Sequence, residues 1–262
     1  MQRTRVGTVE ITALVDAHFV MAASYVFPEV EATSFEAYAD MLNGDGAIEM
    51  ICGAAVIQGN GRTVLVDTGN GPDGALFGEL QAAAVSPSEV DIVVFTHLHG
   101  DHTGWNIDRE SGRALFPNAR YWVPRADWEH YGAEGGDNWE AMLAPLERLE
   151  IVDLFDGETG ITSSLKLVPT PGHTPGHSSI EIRSEGEHAF VLGDAVVDPL
   201  NLNEPTWANV FDSDDETAIE TRHEVISRLS ASGELVVASH LGTQGLGRFV
   251  RDGDRLRFED LP

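Results

Sequence analysis

The chain has 262 residues, enough to bury a core without disulfides, and its single cysteine, Cys52, excludes both an internal disulfide and a cysteine metal cluster. It carries 43 acidic residues against 16 Lys and Arg, a formal net charge of −27, which disfavours binding to nucleic acid or an anionic membrane. The first twenty residues contain no signal-type apolar run and no stretch is long enough to cross a membrane, so we expect a cytoplasmic protein.

The first half of the chain predicts a β-meander that leads into a short helix and a buried strand. Residues 6–16 and 52–69 alternate apolar and polar side chains, and Gly59-Asn60-Gly61 predicts a hairpin turn inside the second run. Ser86, followed by Pro87 and Glu89, has the pattern of a capped helix start. The apolar run Ile92–Phe95 then predicts a buried strand.

The second half repeats this order of elements. Residues 165–197 predict a strand, a Pro/Gly loop and two further strands; Ser213 to Glu216 predict the cap of a helix that reaches about Leu229. A strand ends at His240, and Asp252-Gly253 predicts a last hairpin. Two β-rich halves with helices outside predict an α/β protein, a four-layer αββα sandwich formed as one domain over residues 1–262.

Ligand-type side chains are concentrated in "VVFTHLHGDHTGW", residues 93–105, directly after the predicted buried strand. Alternate residues of an extended chain project to one side, so His97, His99 and Asp101 can converge while His102 turns to an adjacent position. Burying several imidazoles and a carboxylate together without a cation would be costly. Four ligand-type side chains at this spacing could therefore serve two metal ions.

Three further ligand-type residues follow apolar strands elsewhere in the chain. His173 lies in "TPGHTPGH", Asp194 ends "FVLGD" and His240 ends "VVASH". Side chains at strand ends meet at one rim of a sheet, where rigid scaffolds usually display chemistry. The remaining histidines, apart from His177, have no such context and are interpreted as surface or hydrogen-bonded residues.

These motifs resemble the metallo-β-lactamase superfamily, whose H-x-H-x-D-H signature matches residues 97–102, with "DTG" upstream and "PGH", "GD" and a last histidine downstream. The resemblance covers nearly the whole chain and implies the metallo-β-lactamase fold. It implies one metal site of His97, His99 and His173, a second of Asp101, His102 and His240, and Asp194 as the bridging, catalytic carboxylate. It also implies that Asp67 supports the site from outside, and we interpret His177 in the same way.

An imidazole and carboxylate ligand set suits two divalent ions per chain, zinc first, with manganese, cobalt or iron as alternatives. Two adjacent ions can share a hydroxide, because they lower the pKa of water from ~15.7 towards ~7. With Asp101 and Asp194 at the reacting centre, hydrolysis is the expected chemistry.

Branches of the superfamily differ in substrate. Asp194 stands where thiolate-using β-lactamases carry cysteine, His99 is retained where the flavin-linked di-iron oxidoreductases have Glu, and the basic surface of the nucleic-acid branches is absent. The tail from Gly193 onwards, with "FDSD" and "GLGR", resembles the N-acyl homoserine lactonases and the methyl parathion hydrolase group. The best-known lactonases carry a tyrosine three residues after the bridging Asp, and this chain has Val197 there.

An insert over residues 19–42 is rich in Phe, Tyr and Met and supplies candidates for an apolar substrate pocket. The candidates are Phe19, Tyr25, Phe27 and Phe35, to which we add Trp105 after the ligand loop. Contacts within the core or across a homodimer interface remain the alternative for the insert.

We therefore predict a dinuclear metallohydrolase that opens a lactone or related ester of a small-molecule substrate, the hydroxide between the ions attacking the carbonyl. Organophosphate triester hydrolysis is the near alternative. A single-iron sulfur oxygenase of the same fold, a thioester hydrolase and a metal-binding protein without turnover are more distant ones.

Overall fold

The computed structural model describes residues 1–262 and places fourteen strands in two seven-stranded sheets, each ordered as the chain runs. In the first sheet β1 to β4 are antiparallel and β4 to β7 parallel; in the second only β11 and β12 are parallel. The strands of the first sheet are β1 (Gln2–Val6), β2 (Val9–Ala22), β3 (Ala47–Gly59), β4 (Arg62–Val66), β5 (Ile92–Val94), β6 (Arg120–Pro124) and β7 (Val152–Phe155). Those of the second are β8 (Thr159–Gly160), β9 (Leu165–Pro169), β10 (Ser178–Ser184), β11 (Glu187–Val191), β12 (Leu235–Val237), β13 (Leu246–Asp252) and β14 (Arg255–Asp260).

Six α-helices and several shorter helical turns connect the strands. The helices are α1 (Ala23–Val26), α2 (Leu76–Ala82), α3 (Gly100–Thr103), α4 (Arg125–Glu134), α5 (Ala144–Arg148) and α6 (Asp215–Ser232). Residues Ala32–Tyr38, Pro87–Glu89 and Pro199–Leu202 form 3₁₀ helices, and Trp139–Leu143 a π-helical turn. None of the helices combines the length and the apolar character that a membrane span requires.

Apolar side chains divide among layers as the sheet period dictates. On β4, Val64 and Val66 point into the core between the two sheets, whereas Leu65 points outward to the helices beside the first sheet. On the other side, Val225 and Leu229 of α6 pack over the outer face of the second sheet. Helices thus cover both outer faces, and the predicted four-layer αββα fold is confirmed.

The predicted hairpin at Gly59 to Gly61 is confirmed, since β3 and β4 pair antiparallel around Asn60 and Gly61, whose φ angles of 54° and 71° suit a tight turn. The capping box at Ser86 is also present, but the helix that it opens has three residues only. The last hairpin turns through Gly253 and Asp254, one residue later than predicted, because Asp252 pairs with Arg255.

Two further sequence predictions were wrong in detail. The cap of α6 is Asp214, whose carboxylate accepts from the backbone of Thr217; Ser213 is not free for this role because its hydroxyl donates to the carbonyl of His173. The predicted insert over residues 19–42 overlaps the first long strand, because β2 continues to Ala22.

Candidate metal centre

The seven predicted ligands all lie just beyond strand ends of the two sheets. His97 and His99 follow β5, and Asp101 and His102 occupy the short helix α3. The other three follow β9, β11 and β12 of the second sheet; they are His173, Asp194 and His240. The parallel and antiparallel pairings bring these ends to one rim of the sandwich, so the convergence expected from the sequence is present.

One group of side chains brings three imidazoles together. His99 Nδ1 lies 3.1 Å from His97 Nε2 and 3.0 Å from His173 Nε2. Asp194 Oδ2 lies 3.4 Å from His173 Nε2 and 3.8 Å from His97 Nε2. These four residues could hold one metal ion.

A second group lies on the other side of Asp194. Asp101 Oδ2 lies 3.8 Å from His102 Nε2 and 3.6 Å from His240 Nε2. Asp194 reaches both imidazoles, with Oδ1 at 3.4 Å from His102 Nε2 and Oδ2 at 3.0 Å from His240 Nε2. The Asp194 carboxylate therefore joins both groups, as a bridging ligand would.

The outer nitrogens of four imidazoles are held by acceptors, which leaves the inner nitrogens to face the cluster. His97 and His102 have Nδ1 contacts with Thr96 Oγ1 at 3.0 Å and Asp67 Oδ2 at 2.8 Å. For the other two, Nδ1 of His173 lies 3.1 Å from Asp212 Oδ1, and that of His240 lies 2.7 Å from the carbonyl of Ile51. Such outer hydrogen bonds fix ring orientation and tautomer in metal sites.

The atoms of the cluster itself fit divalent cations. His102 Nε2 and Asp194 Oδ1 are buried and have no hydrogen-bond partner, although each faces the other group members. Burial lowers the pKa of His97, whereas for His240 burial is outweighed by Asp194 and Asp101, which raise the pKa to about 9. The carboxylates thus favour a positive charge within the cluster. Its nitrogen and oxygen donors suit zinc and other divalent first-row transition metals.

Two buried carboxylates that the sequence analysis did not single out hold the loops of the site. Asp127, on α4, accepts from the backbone of Leu98 and Gly176 and so joins the histidine loop to the loop that carries His173. Asp16, on β2, accepts from the backbone of Asn70 and Leu76. Neither has a local sequence signal, because their partners are distant in the chain.

His177 and Gly172 position the ligands beside them. His177 Nε2 accepts from the backbone N–H of Asp194 at 2.8 Å, and its Nδ1 lies 2.9 Å from the carbonyl of Thr170, which is consistent with the supporting role predicted for it. Gly172 has a φ of +122°, and a Cβ there would overlap the backbone of Ala218. Only glycine allows the loop to pass so close to α6 just before His173.

A pocket of about 440 Å³ opens onto the cluster. Its apolar wall consists of Phe19, Met21, Met50, Val197, Val210 and Phe211, and the remaining lining residues are His99, Gly100, Asp101, His173, Asp194 and His240. None of these residues is Lys or Arg. The pocket therefore offers an apolar surface beside the ligand cluster, and its wall carries no Lys or Arg side chain.

Of the pocket residues predicted from the sequence, only Phe19 lines this cavity. Phe27 and Phe35 are buried and pack edge-on against Trp207, whose ring centroid lies 5.4 Å and 5.5 Å from theirs. Tyr25 is 60% exposed and lies outside the lining. For Phe27 and Phe35 the core alternative is therefore the one that the structure supports.

Trp105 was also misplaced by the prediction. Its indole Nε1 donates to Asp16 Oδ1 at 3.1 Å, and its ring packs edge-on against Phe77 outside the first sheet. Trp105 is not among the residues that line the pocket, and its contact with Asp16 instead ties the end of the ligand loop to β2.

Asp67→Asn tests the support of His102. Asp67 accepts from the backbone and hydroxyl of Thr96, both at 2.8 Å, and lies against His102 Nδ1. Asn keeps the size of the side chain and tolerates the φ of 59°, but its neutral amide no longer stabilises the ring of His102 by charge. We expect metal affinity, measured by chelator competition, to fall about 10- to 100-fold. Asp91→Asn, at a surface ion pair with Arg62, is the control; equal affinities in both variants would contradict this role.

Asp198→Asn tests a buried carboxylate, next to the pocket residue Val197, that has one oxygen without a hydrogen-bond partner. Asp198 Oδ1 accepts from Leu200 and Asn201 at the start of a 3₁₀ helix, whereas Oδ2 has no partner, and burial raises the pKa from 3.8 to about 6. Compared with the unfolded chain, the folded protein thus favours the protonated carboxyl of Asp198. The stabilisation that this gives at low pH is lost as pH rises through about 6. Because Asn keeps the cap without the charge, we expect it to raise the free energy of unfolding by ~3 kcal/mol at pH 8.

The gain from Asp198→Asn should shrink towards zero as pH falls towards 4, in urea unfolding measured over a pH series. Asp214→Asn, at the exposed cap of α6, is the control and should bring no gain. A pH-independent difference between Asp198→Asn and the unmodified protein would contradict the charge argument.

Comparison with known proteins places this geometry in a family. The sequence profile described as the metallo-beta-lactamase superfamily matches residues 49–240. An N-acyl homoserine lactonase of a Bacillus species is 30% identical over 115 residues, 43% of this chain and 41% of that protein. The matched segment thus spans about two fifths of the curated relative.

Solved structures share the fold over the whole chain. AidC, described as a dizinc quorum-quenching lactonase in complex with a product, superposes with a TM-score of 0.87 at 20% identity and covers 100% of this chain and 97% of its own. The hydrolase AbOPH of the beta-lactamase superfamily gives 0.86 at 23% identity, covering 99% and 97%. With the profile match over most of the chain and the ligand motif at one rim of an αββα sandwich, the chain belongs to the metallo-β-lactamase superfamily.

Proposed function

We propose that the protein is a dinuclear metal-dependent hydrolase that opens lactones or related esters. The observation that carries this proposal is the arrangement of two three-residue ligand groups around one shared carboxylate, Asp194, at the floor of an apolar pocket. One group consists of His97, His99 and His173, and the other of Asp101, His102 and His240. Because the site draws residues from both sheets, residues 1–262 act as one catalytic unit.

Two divalent ions held there, zinc being the best match to the donors, would supply a nucleophile at neutral pH and polarise the substrate oxygen. The protein's own contribution is to orient the ligands and the substrate. Asp194 is nine-tenths or more buried and fixed by the backbone contact with His177, whereas Asp101 is 27% exposed towards the pocket. Asp101 is thus the carboxylate of the cluster that the substrate can approach directly.

The pocket wall favours an uncharged substrate. Apolar side chains face the cluster, and the lining contains neither Lys nor Arg to neutralise an anionic group. The net charge of −27 adds a general repulsion of anions. These features disfavour anionic thioesters and fit a neutral acyl lactone. The similarity to N-acyl homoserine lactonases supports the same substrate class.

The wall also contains no phenol. Val197 is buried and lines the pocket at the position where the best-known lactonases carry tyrosine. No tyrosine is among the lining residues. The proposed reaction therefore proceeds without help from a tyrosine hydroxyl. A neutral phosphotriester meets the same requirements of charge and polarity, so triester hydrolysis is the second candidate activity.

The decisive experiment measures turnover and metal content on the same preparation. Acyl lactones, aryl esters, phosphotriesters and thioesters are assayed after elemental analysis, and we expect two metals per chain and the highest kcat/KM on a lactone. His240→Ala should abolish turnover and lower the metal content, whereas His188→Ala, an exposed histidine on β11, should change neither. One iron per chain, or two metals without turnover of any of these substrates, would contradict the proposal.

A further inference from the structure

Strand β2 contains a β-bulge at Asp16. Val15 faces Gly53 on β3 and Ala17 faces Cys52, so two adjacent residues of β3 oppose three residues of β2. Asp16 is the extra residue and has no partner across the sheet. A bulge bends its strand and re-aims the side chain that it carries, and bulges are frequent beside active sites.

The bulge directs a carboxylate into the interior without a cation beside it. Asp16 is 3% exposed and takes part in no ion pair. A buried carboxylate is tolerated only where hydrogen bonds replace the water that it has lost. Oδ2 accepts from the backbone of Asn70 at 2.6 Å, and Oδ1 accepts from the backbone of Leu76 at 2.7 Å and from the indole of Trp105 at 3.1 Å. Both oxygens of Asp16 are therefore occupied.

These donors come from two segments that are paired with each other. Residues 67–76 follow β4, whereas Trp105 follows the helix that carries two of the metal-ligand residues. The backbone N–H of Thr68 donates to the carbonyl of His102 at 2.7 Å, and that of Trp105 donates to the carbonyl of Thr68 at 3.2 Å. Asp16 thus attaches both segments of this paired unit to β2.

His102 depends on the same unit at two points. Its carbonyl accepts from the backbone N–H of Thr68 and also from the Thr68 hydroxyl, at 3.1 Å. Its ring Nδ1 lies 2.8 Å from Oδ2 of Asp67, the first residue of the loop that Asp16 holds. The position of His102 and the orientation of its ring therefore follow the position of that loop.

The loop encloses the carboxylate closely. A Cβ at Gly69 would lie 2.4 Å from Asp16 Oδ2, and a Cβ at Gly74 would lie 2.2 Å from Asp16 Oδ1. Contacts this short leave no space on these two sides for a water molecule to replace a lost acceptor. The loop is thus built around the carboxylate itself.

The other ligand group is held by a different carboxylate. Asp127 accepts from the backbone of Leu98, between the first two histidines of the ligand loop, at 3.2 Å. It also accepts from the Thr174 hydroxyl at 2.8 Å and the backbone of Gly176 at 2.6 Å, just beyond His173. Each of the two carboxylates receives three hydrogen bonds, but from segments that carry different ligands.

We propose that Asp16 is a positioning residue that sets the metal affinity of the His102 group, and that Asp127 has the same role for the His99 group. The His102 group consists of Asp101, His102 and His240, and the His99 group of His97, His99 and His173. This inference rests on the proposed dinuclear centre, because it concerns how tightly each group binds its ion. Its consequence is that the two affinities can be altered separately by residues outside both groups.

Asp16→Asn tests the proposal in two backgrounds that each retain one complete ligand group. His99→Ala leaves the His102 group complete, and His240→Ala leaves the His99 group complete. Asn keeps the volume of Asp16, but its NH2 replaces one acceptor and faces an N–H donor that no water can satisfy. By chelator competition, we expect zinc affinity to fall about tenfold or more in the His99→Ala background and about threefold or less in the His240→Ala background. The smaller effect is allowed because Asp67 also accepts from the backbone of Thr96, next to His97.

Asp127→Asn is the matched control, since it changes a second buried carboxylate with three donors. It should show the reverse selectivity, with the larger loss of zinc affinity in the His240→Ala background. Circular dichroism and urea unfolding of the metal-free proteins report the effect of each variant on the fold. A merely structural role for both carboxylates predicts that each variant weakens the two groups equally.

The outcomes separate this proposal from the proposed reaction. Equal losses of zinc affinity in the two backgrounds for Asp16→Asn, or no loss in either, would overturn the positioning role. If Asp16→Asn does not fold, Trp105→Phe decides, because it removes one donor to Asp16 and keeps a ring against Phe77. It should weaken zinc binding more in the His99→Ala background, and equal affinities would overturn the role. A selective effect in a protein that hydrolyses no lactone or ester would instead contradict the proposed reaction and leave the positioning role supported.

Discussion

Asp194→Ala is expected to reduce kcat/KM by at least about a thousandfold, or ~4 kcal/mol of transition-state stabilisation, and to lower the metal content from two ions per chain to one or fewer. Asp194 is the side chain common to both ligand groups, with Oδ2 at 3.0 Å from His240 Nε2 and Oδ1 at 3.4 Å from His102 Nε2. Removing it separates the two groups and leaves His102 Nε2 without its nearest carboxylate. Elemental analysis and steady-state kinetics on the preferred ester provide the two measurements.

Two companion variants make this result interpretable. Asp194→Asn retains the volume and the backbone N–H contact with His177 but not the charge, so it should fold normally, as judged by circular dichroism, and still lose metal. Asp254→Ala, in the exposed turn of the last hairpin, should keep both metal and activity. A rate for Asp194→Ala within a few-fold of the unmodified protein would refute the bridging role.

The ligand residues could be proposed from the sequence because each follows an apolar run that was itself recognisable. The histidine run after Val94 and the single ligands after β9, β11 and β12 carry their own local context, and strand ends meet at one rim by topology. The four-layer αββα arrangement could be predicted because the two halves of the chain repeat the same order of elements. Both predictions depended on short-range patterns, which sequence reports well.

Contacts between distant segments could not be predicted in this way. Trp105 follows the ligand loop directly, but it donates a hydrogen bond to Asp16, 89 positions earlier, and does not line the pocket. Phe27 and Phe35 are as apolar as Phe19, and only the packing around Trp207 separates core residues from pocket residues. Asp212 lies in the "FDSD" segment that the sequence analysis noted, yet its contact with His173 was visible only in three dimensions.

Arg222 is the least expected member of the site. It lies on the face of α6 that also carries Ala218, Val225 and Leu229, and it is 1% exposed although it is charged. Its guanidinium contacts Asp212 Oδ2 at 2.6 Å, and Asp212 Oδ1 in turn lies 3.1 Å from His173 Nδ1. A buried cation is thus connected through one carboxylate to a candidate metal ligand, which suggests separate contributions to stability and to metal binding.

Arg222→Met should lower the free energy of unfolding by about 3–5 kcal/mol, because it leaves the buried carboxylate of Asp212 without its cation. The double variant Arg222→Met with Asp212→Leu should recover the part of that loss that comes from the unpaired charge, since a buried ion pair replaced by apolar side chains of similar size is often neutral in stability, but not the part that comes from the N–H groups donated to the carbonyls of Pro205 and Trp207. The measurement is a double-mutant cycle by urea unfolding of the metal-free proteins: the unmodified protein, the two single variants and the double variant. Arg228→Met, a partly exposed arginine on the same helix that pairs with Glu181, should cost about 1 kcal/mol or less.

Metal affinity should not recover with stability. In the double variant His173 Nδ1 has lost its acceptor, so its ring is free to rotate and to change tautomer, and chelator competition should show a 10- to 100-fold weaker metal site. A merely structural role for the pair predicts the opposite, namely that affinity returns when the fold is restabilised. Full metal affinity in the stabilised double variant would therefore contradict the role of Asp212 in holding His173, whereas weak affinity in a stable protein would separate the two functions of this buried pair.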